Sequence, residues 1–238
     1  MRSSLKTMAS ISRRLFMFLS GGILLVAALP STLSASFLKK LPVRTVEKDK
    51  FTFDPDRGLI EWQKKKEPYR LIIDGLVRKP RSFSYADIRS FPRVEQTSDL
   101  HCVEGWSVKD LRWSGFRFGE VLKRVDPDPD ATHVLFHSFG ATKSSPRGQN
   151  HYIESFPISE LLDPEREILL ALTLDGRTLP EEHGAPLRLA APHDLAYKSS
   201  KFITRIEFIK NERPGWWTLA NPAYPVVARV PESRLRHN

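Results

Sequence analysis

The chain has 238 residues, a formal charge of +9 at neutral pH and a single cysteine. One cysteine excludes an intrachain disulfide framework. The basic residues fall in short clusters such as Lys64-Lys65-Lys66 and Arg78-Lys79, with acidic neighbours and no zinc-finger or helix-turn-helix spacing, which argues against nucleic acid as a partner.

Residues 1–35 read as an export signal. Arg2, Lys6, Arg13 and Arg14 are its four charged side chains, and the uncharged run from Leu15 to Leu29 follows them. As a helix that run extends roughly 22 Å, short of the roughly 30 Å hydrocarbon core of a membrane. Ser12-Arg13-Arg14-Leu15-Phe16 looks like the twin-arginine signal that exports folded proteins, so a periplasmic location is expected. Cleavage after Ser34 or Ala35 would release the chain, and an uncleaved leader would tether it to the membrane. The remaining length suits one large domain.

Residues 36–68 show little periodicity and read as an irregular arm. Tyr69 to Ile73 alternates as a strand and turns at Asp74-Gly75. Ser84 with Asp87 three residues on is a helix-capping pattern bounded by Pro92, and Arg117 to Val125 is a second short helical segment. Strands are expected at His133 to Phe139, Ile168 to Leu174, Leu187 to Ala190 and Phe202 to Ile209. Asp175-Gly176 makes a tight hairpin turn into Arg177-Thr178-Leu179. Short helices, separated strands and 18 prolines spread over the chain predict a mixed α+β fold with a mostly β core and long loops. Residues 69–215 would form the domain, and residues 216–238, with Pro222, Pro225 and Pro231, an extended strap packed on it.

The densest chemical signal is His101-Cys102-Val103-Glu104-Gly105-Trp106-Ser107, placed in a loop between the Asp87 helix and the Phe116 region. A thiolate is a soft ligand and a nucleophile, although a lone cysteine is more often core packing. His133 and His137 would share one face of a strand about 13 Å apart, too far to bind one zinc together. His151, after a polar stretch, suits either a proton donor or a loop histidine.

The heptapeptide resembles the molybdenum-binding cysteine loop of the sulfite oxidase family, in particular its bacterial periplasmic branch. The resemblance continues at Tyr69 to Leu76, Leu169 to Gly176, Leu179-Pro180, His183-Gly184-Ala185-Pro186-Leu187-Arg188-Leu189, Pro192 and Lys198-Ser199-Ser200-Lys201. It implies a sulfite-oxidase-type fold and a molybdenum-molybdopterin cofactor with Cys102 as the metal ligand. His183, Arg188, Lys198, Ser199 and Lys201 would face the pterin and its phosphate, Trp106 the substrate approach, and His151 the departing oxygen. The residues after Cys102 are Gly105, Trp106 and Ser107 rather than arginines, which moves the expectation from sulfite oxidation to reduction of an S-oxide such as methionine sulfoxide. A sulfite dehydrogenase on the same fold and a cofactor-free binding domain are the alternatives. With one cysteine the chain has no haem-attachment or iron–sulfur motif, so electrons would come from a membrane haem subunit or a soluble cytochrome. A free or protein-bound sulfoxide substrate and a monomeric state complete the expectation.

Overall fold

The computed structural model describes residues 46–235, which lie in one compact unit. The proposed export signal lies outside the described residues. Among these residues no helix is long and apolar enough to cross a membrane.

Strands β1 (Phe51–Asp54), β2 (Leu59–Trp62) and β3 (Lys65–Pro68) form an antiparallel meander, so the segment expected to be irregular is a small sheet. Its second turn is the two-residue Gln63-Lys64, both at positive φ, between the paired Trp62 and Lys65. That backbone normally selects Gly, Asn or Asp, so the turn carries no recognisable sequence signal. Phe53 and Ile60 are buried, and Phe51 packs edge-on against Phe139 and Phe202. The arm is thus part of the domain's core.

β4 (Arg70–Gly75) alternates exposed and buried residues as its sequence requires, with Leu71 and Ile73 inward. β5 (Arg81–Ser84) leads into α1 (Tyr85–Arg89), where Ser84 and Asp87 complete the expected capping box. β6 (Val94–His101) and β7 (Ser107–Phe116) follow as an antiparallel hairpin. Next come α2 (Gly119–Val125), β8 (His133–Ser138), β9 (Ile153–Pro157), α3 (Ile158–Leu162) and β10 (Leu169–Leu174). β11 (Arg177–Thr178), β12 (Arg188–Ala190), β13 (Ile203–Ile209) and α4 (Trp216–Ala220) complete the order.

Two five-stranded sheets result. One runs β11-β10-β7-β6, with β12 also paired to β10; the other runs β5-β4-β13-β8-β9, with β4 and β13 parallel. The helices are far below the roughly 12–15 residues needed for stability in isolation, so packing holds them. Phe118 stacks on Phe208 and meets Phe136 edge-on, joining the start of α2 to the second sheet. Trp216 of α4 joins Leu135, Tyr152 and Ile153 in a buried cluster, docking the start of the strap.

The second sheet also carries a polar chain. Arg205 binds both oxygens of Asp74 at 2.9 Å and reaches Glu207 at 3.3 Å. Nε2 of His137 lies 2.9 Å from Glu207, and Nδ1 of His137 lies 2.9 Å from Nε2 of His151. These contacts are mutually satisfied when both rings are neutral: His151 Nε2–H donates to His137 Nδ1, and His137 Nε2–H donates to Glu207. Burial pushes the His137 pKa down to about 4, despite the opposing hydrogen bond from Glu207; Arg205 and His151 push the same way as burial. The fold therefore favours neutral His137. Its contribution is complete above the ordinary histidine pKa near 6.5 and is lost as pH falls toward about 4. Each unit of depression corresponds to about 1.4 kcal/mol. His137→Gln, which keeps a donor for Glu207, is expected to flatten the fall in Tm between pH 6.5 and 4; thermal melts of both proteins across that range check this.

Candidate active site

The Cys102 motif forms the tip of the β6–β7 hairpin, a more regular setting than the expected loop. His101 pairs with Ser107, and the five intervening residues close through Cys102 N–H donating to the Trp106 carbonyl at 2.9 Å and Gly105 N–H to the Cys102 carbonyl at 3.1 Å. Gly105 sits at φ +95°, which makes glycine the low-strain residue at that turn. Cys102 is half-buried, whereas Val103 and Trp106 are 41% and 45% exposed. The Trp106 indole N–H donates to Glu104 at 3.2 Å. The tip thus presents one sulfur behind a rim of two apolar side chains and a carboxylate.

A parallel bridge between His101 and Leu195 sets the neck of the hairpin tip beside the segment leading to Lys198 and Lys201. From the other side, β7 pairs with β10 and β10 with β12, which brings Arg188 over the Trp113 ring at 4.9 Å. Arg188 is buried. Its Nη1 donates to the His183 carbonyl at 2.8 Å and its Nε to the Leu189 carbonyl at 3.4 Å. Carbonyl dipoles do not neutralise a guanidinium, and burial lowers its pKa to about 10.

Residues 184–191 and 199–203 lie side by side through Leu189 N–H to the Ser200 carbonyl, Phe202 N–H to the Gly184 carbonyl and Ile203 N–H to the Leu187 carbonyl. Gly184 is the point of convergence. A Cβ there would lie 3.0 Å from both Arg188 Cβ and Lys201 Cγ, and its φ of +111° excludes an ordinary side chain. Burial lowers Lys201 to about 8; Glu47 opposes that shift and Arg188 adds to it. His183, half-buried beside both cations, is lowered by burial first and then by Arg188. Ser200 Oγ is buried and lacks a hydrogen-bond partner. Two desolvated cations with an imidazole beside them are the donor set that a phosphate group satisfies. The residues present therefore fit a phosphorylated pterin.

The other expected residues are placed differently. Lys198, 3% exposed, points its amine to Glu154 at 2.6 Å and to the Ser155 carbonyl at 2.8 Å, so its charge is already matched inside the core. Ser199 Oγ accepts from Ala191 N–H at 3.2 Å and serves the local backbone. His151 is committed to His137 and Gln149, and burial together with Arg205 and Arg213 lowers its pKa, leaving it a poor proton donor. Arg234, absent from the sequence expectation, donates to the carbonyls of Cys102 and Trp106. Its setting in a proline-bounded, polar tail gives no sequence signal for this.

Among the described residues no group of three or more His, Cys, Asp or Glu side chains could hold a metal ion. A metal at Cys102 would accordingly take its other ligands from a cofactor.

Comparison with known proteins follows this geometry. Residues 58–217 match the oxidoreductase molybdopterin-binding domain. The protein-methionine-sulfoxide reductase catalytic subunit MsrP of Gluconobacter oxydans is 38% identical over 172 residues, covering 68% of this chain and 54% of that protein. The uncharacterized oxidoreductase YuiH of Bacillus subtilis is 33% identical over 149 residues, covering 63% of this chain and 69% of its own length. The chain spans about half the length of the MsrP relatives it matches. The crystal structure of the sulfane dehydrogenase SoxCD from Paracoccus pantotrophus shares the fold, with a TM-score of 0.53 at 21% identity over 77% of this chain and 54% of that one. With its hairpin cysteine and its cationic corner around Gly184, the chain belongs to the oxidoreductase molybdopterin-binding domain family, related to the bacterial MsrP and sulfite oxidase enzymes.

Proposed function

We propose that this domain is the catalytic part of a periplasmic molybdenum enzyme that removes the oxygen atom from an S-oxide, with methionine sulfoxide, free or within a protein, as the expected substrate. The observation that carries the reading is the placement of one hairpin cysteine and the buried Arg188 guanidinium on the same sheet. When bound, the cofactor would supply a reduced centre that gives two electrons to the S-oxide and takes its oxygen atom, a reaction outside the reach of side chains alone.

The chain's own residues divide the remaining work. Arg188 and Lys201 would bind the pterin phosphate, with His183 adding a hydrogen bond. Cys102 would bind the metal as thiolate. Val103 and Trp106 at the rim suit the apolar body of a thioether-like substrate, and the Glu104 carboxylate beside them repels an anion. That combination supports a neutral S-oxide over sulfite, whose charge calls for cations at the entrance. Overall, the S-oxide takes two electrons and two protons and leaves as sulfide and water. A separate haem protein, membrane-bound or soluble, would deliver the electrons, and solvent at the exposed rim the protons.

Elemental analysis of protein made in a host that synthesises the cofactor is expected to give about one molybdenum per chain, and almost none in Cys102→Ala. The loaded enzyme should then turn over methionine sulfoxide with a reduced dye and leave sulfite untouched. Metal equally absent from both well-folded proteins would sink the reading.

The two lysines should separate cleanly. Lys201→Met is expected to lose cofactor about tenfold while the cofactor-free protein melts near the wild-type temperature. Lys198→Met leaves Glu154 buried and unpaired, which typically costs about 3–5 kcal/mol, and should lower Tm by many degrees while the folded fraction still takes up cofactor. The opposite pattern in melts and metal content would move the phosphate site to Lys198.

A further inference from the structure

The C-terminal strap reaches the hairpin tip through one side chain. Arg234 Nη1 donates to the Cys102 carbonyl at 2.9 Å, and Nη2 donates to the Trp106 carbonyl at 2.7 Å and to Ser107 Oγ at 3.1 Å. These acceptors lie at the two ends of the loop, so one guanidinium spans its neck. The loop's own closure rests on two backbone hydrogen bonds, and Val103 to Trp106 are exposed to competing water. Three charge-assisted bonds from a planar fork therefore supply a large part of its restraint.

The strap is itself anchored beside the neck of that loop. Val230 N–H donates to the His193 carbonyl at 3.0 Å, and Leu195 N–H to the Ala228 carbonyl at 2.8 Å. Arg229 binds the buried Asp194 at 2.8 Å and Glu160 at 2.5 Å, while Ala228 and Val230 are buried. Leu195 also bridges to His101. The segment that flanks the neck of the Cys102 loop at His101 thus also holds the strap that spans it.

We infer that Arg234 is a positioning residue for Cys102, fixing the direction in which the sulfur is presented, and that the strap is for this reason part of the functional site. The inference rests on Cys102 being the metal ligand. Lysine cannot replace this arginine fully, because a single ammonium does not reproduce the fork across two carbonyls and a hydroxyl.

The test uses the full chain, wild type beside Arg234→Gln and Arg234→Lys, with hydrogen exchange of residues 102–107, molybdenum content and the electron paramagnetic resonance spectrum of Mo(V). Arg234→Gln is expected to exchange its Cys102 and Gly105 amides at least tenfold faster. Its Mo(V) spectrum should broaden or split into several species, with Arg234→Lys intermediate in both readouts. Wild-type exchange and a wild-type spectrum in a folded Arg234→Gln protein would overturn the inference. Should the glutamine variant not fold, the lysine variant decides by the same two readouts. Wild-type protein without molybdenum would instead defeat the metal-ligand reading, and the exchange data would still report whether Arg234 holds the loop.

Discussion

A guanidinium buried without a carboxylate is costly, because the charge leaves water and receives only carbonyl dipoles in return. Arg188 is in that position, and much of the surrounding architecture concerns it. It lies over the Trp113 ring, bonds to two carbonyls, and has the Lys201 side chain brought close across Gly184. Burial is the main cause of the lowered Lys201 pKa, Glu47 opposes it, and the nearby Arg188 adds a smaller push in the same direction as burial. Under the proposed function such a corner is the complement of an anionic group of the cofactor. Lys198, three residues earlier, shows the other solution: a carboxylate built into the core beside it.

The distinction between the two lysines also measures what the sequence can convey. Lys198-Ser199-Ser200-Lys201 marks a cationic segment, but spacing alone does not say which amine turns inward to Glu154 and which toward Gly184. Long-range packing decides that. Much of the second sheet was legible, because β4, β8 and β13 are rich in apolar strand formers, and Asp175-Gly176 is a turn whose chemistry is local. β6 and β7 were not, since Val94–His101 is mostly polar and half-exposed and β7 carries a charged stretch at Lys109-Asp110. The meander at residues 51–68 escaped for a related reason, with a fully exposed lysine-rich strand and a turn that lacks glycine.

The candidate site was legible in its chemistry and less so in its supports. Cys102, Arg188 and Lys201 belong to compact motifs whose resemblance to the sulfite oxidase family implies a thiolate ligand and a phosphate-binding corner. Ser200, with its buried and unpartnered hydroxyl, and Arg234, across the hairpin neck, could not be singled out, because the burial of the one and the distant partners of the other are set by the fold. A serine among serines and an arginine in a polar tail are chemically ordinary until the fold places them.

The placement of these groups separates two tasks. The cationic corner is buried, and its backbone is tied into β10, β12 and the segment before β13. The rim is the exposed tip of a hairpin, where Val103, Glu104 and Trp106 can vary without disturbing a sheet. Arg234 binds loop carbonyls, which every residue carries, and so tolerates changes in the rim side chains while holding the backbone at Cys102. A site organised this way can alter what approaches the sulfur without altering how the sulfur is held.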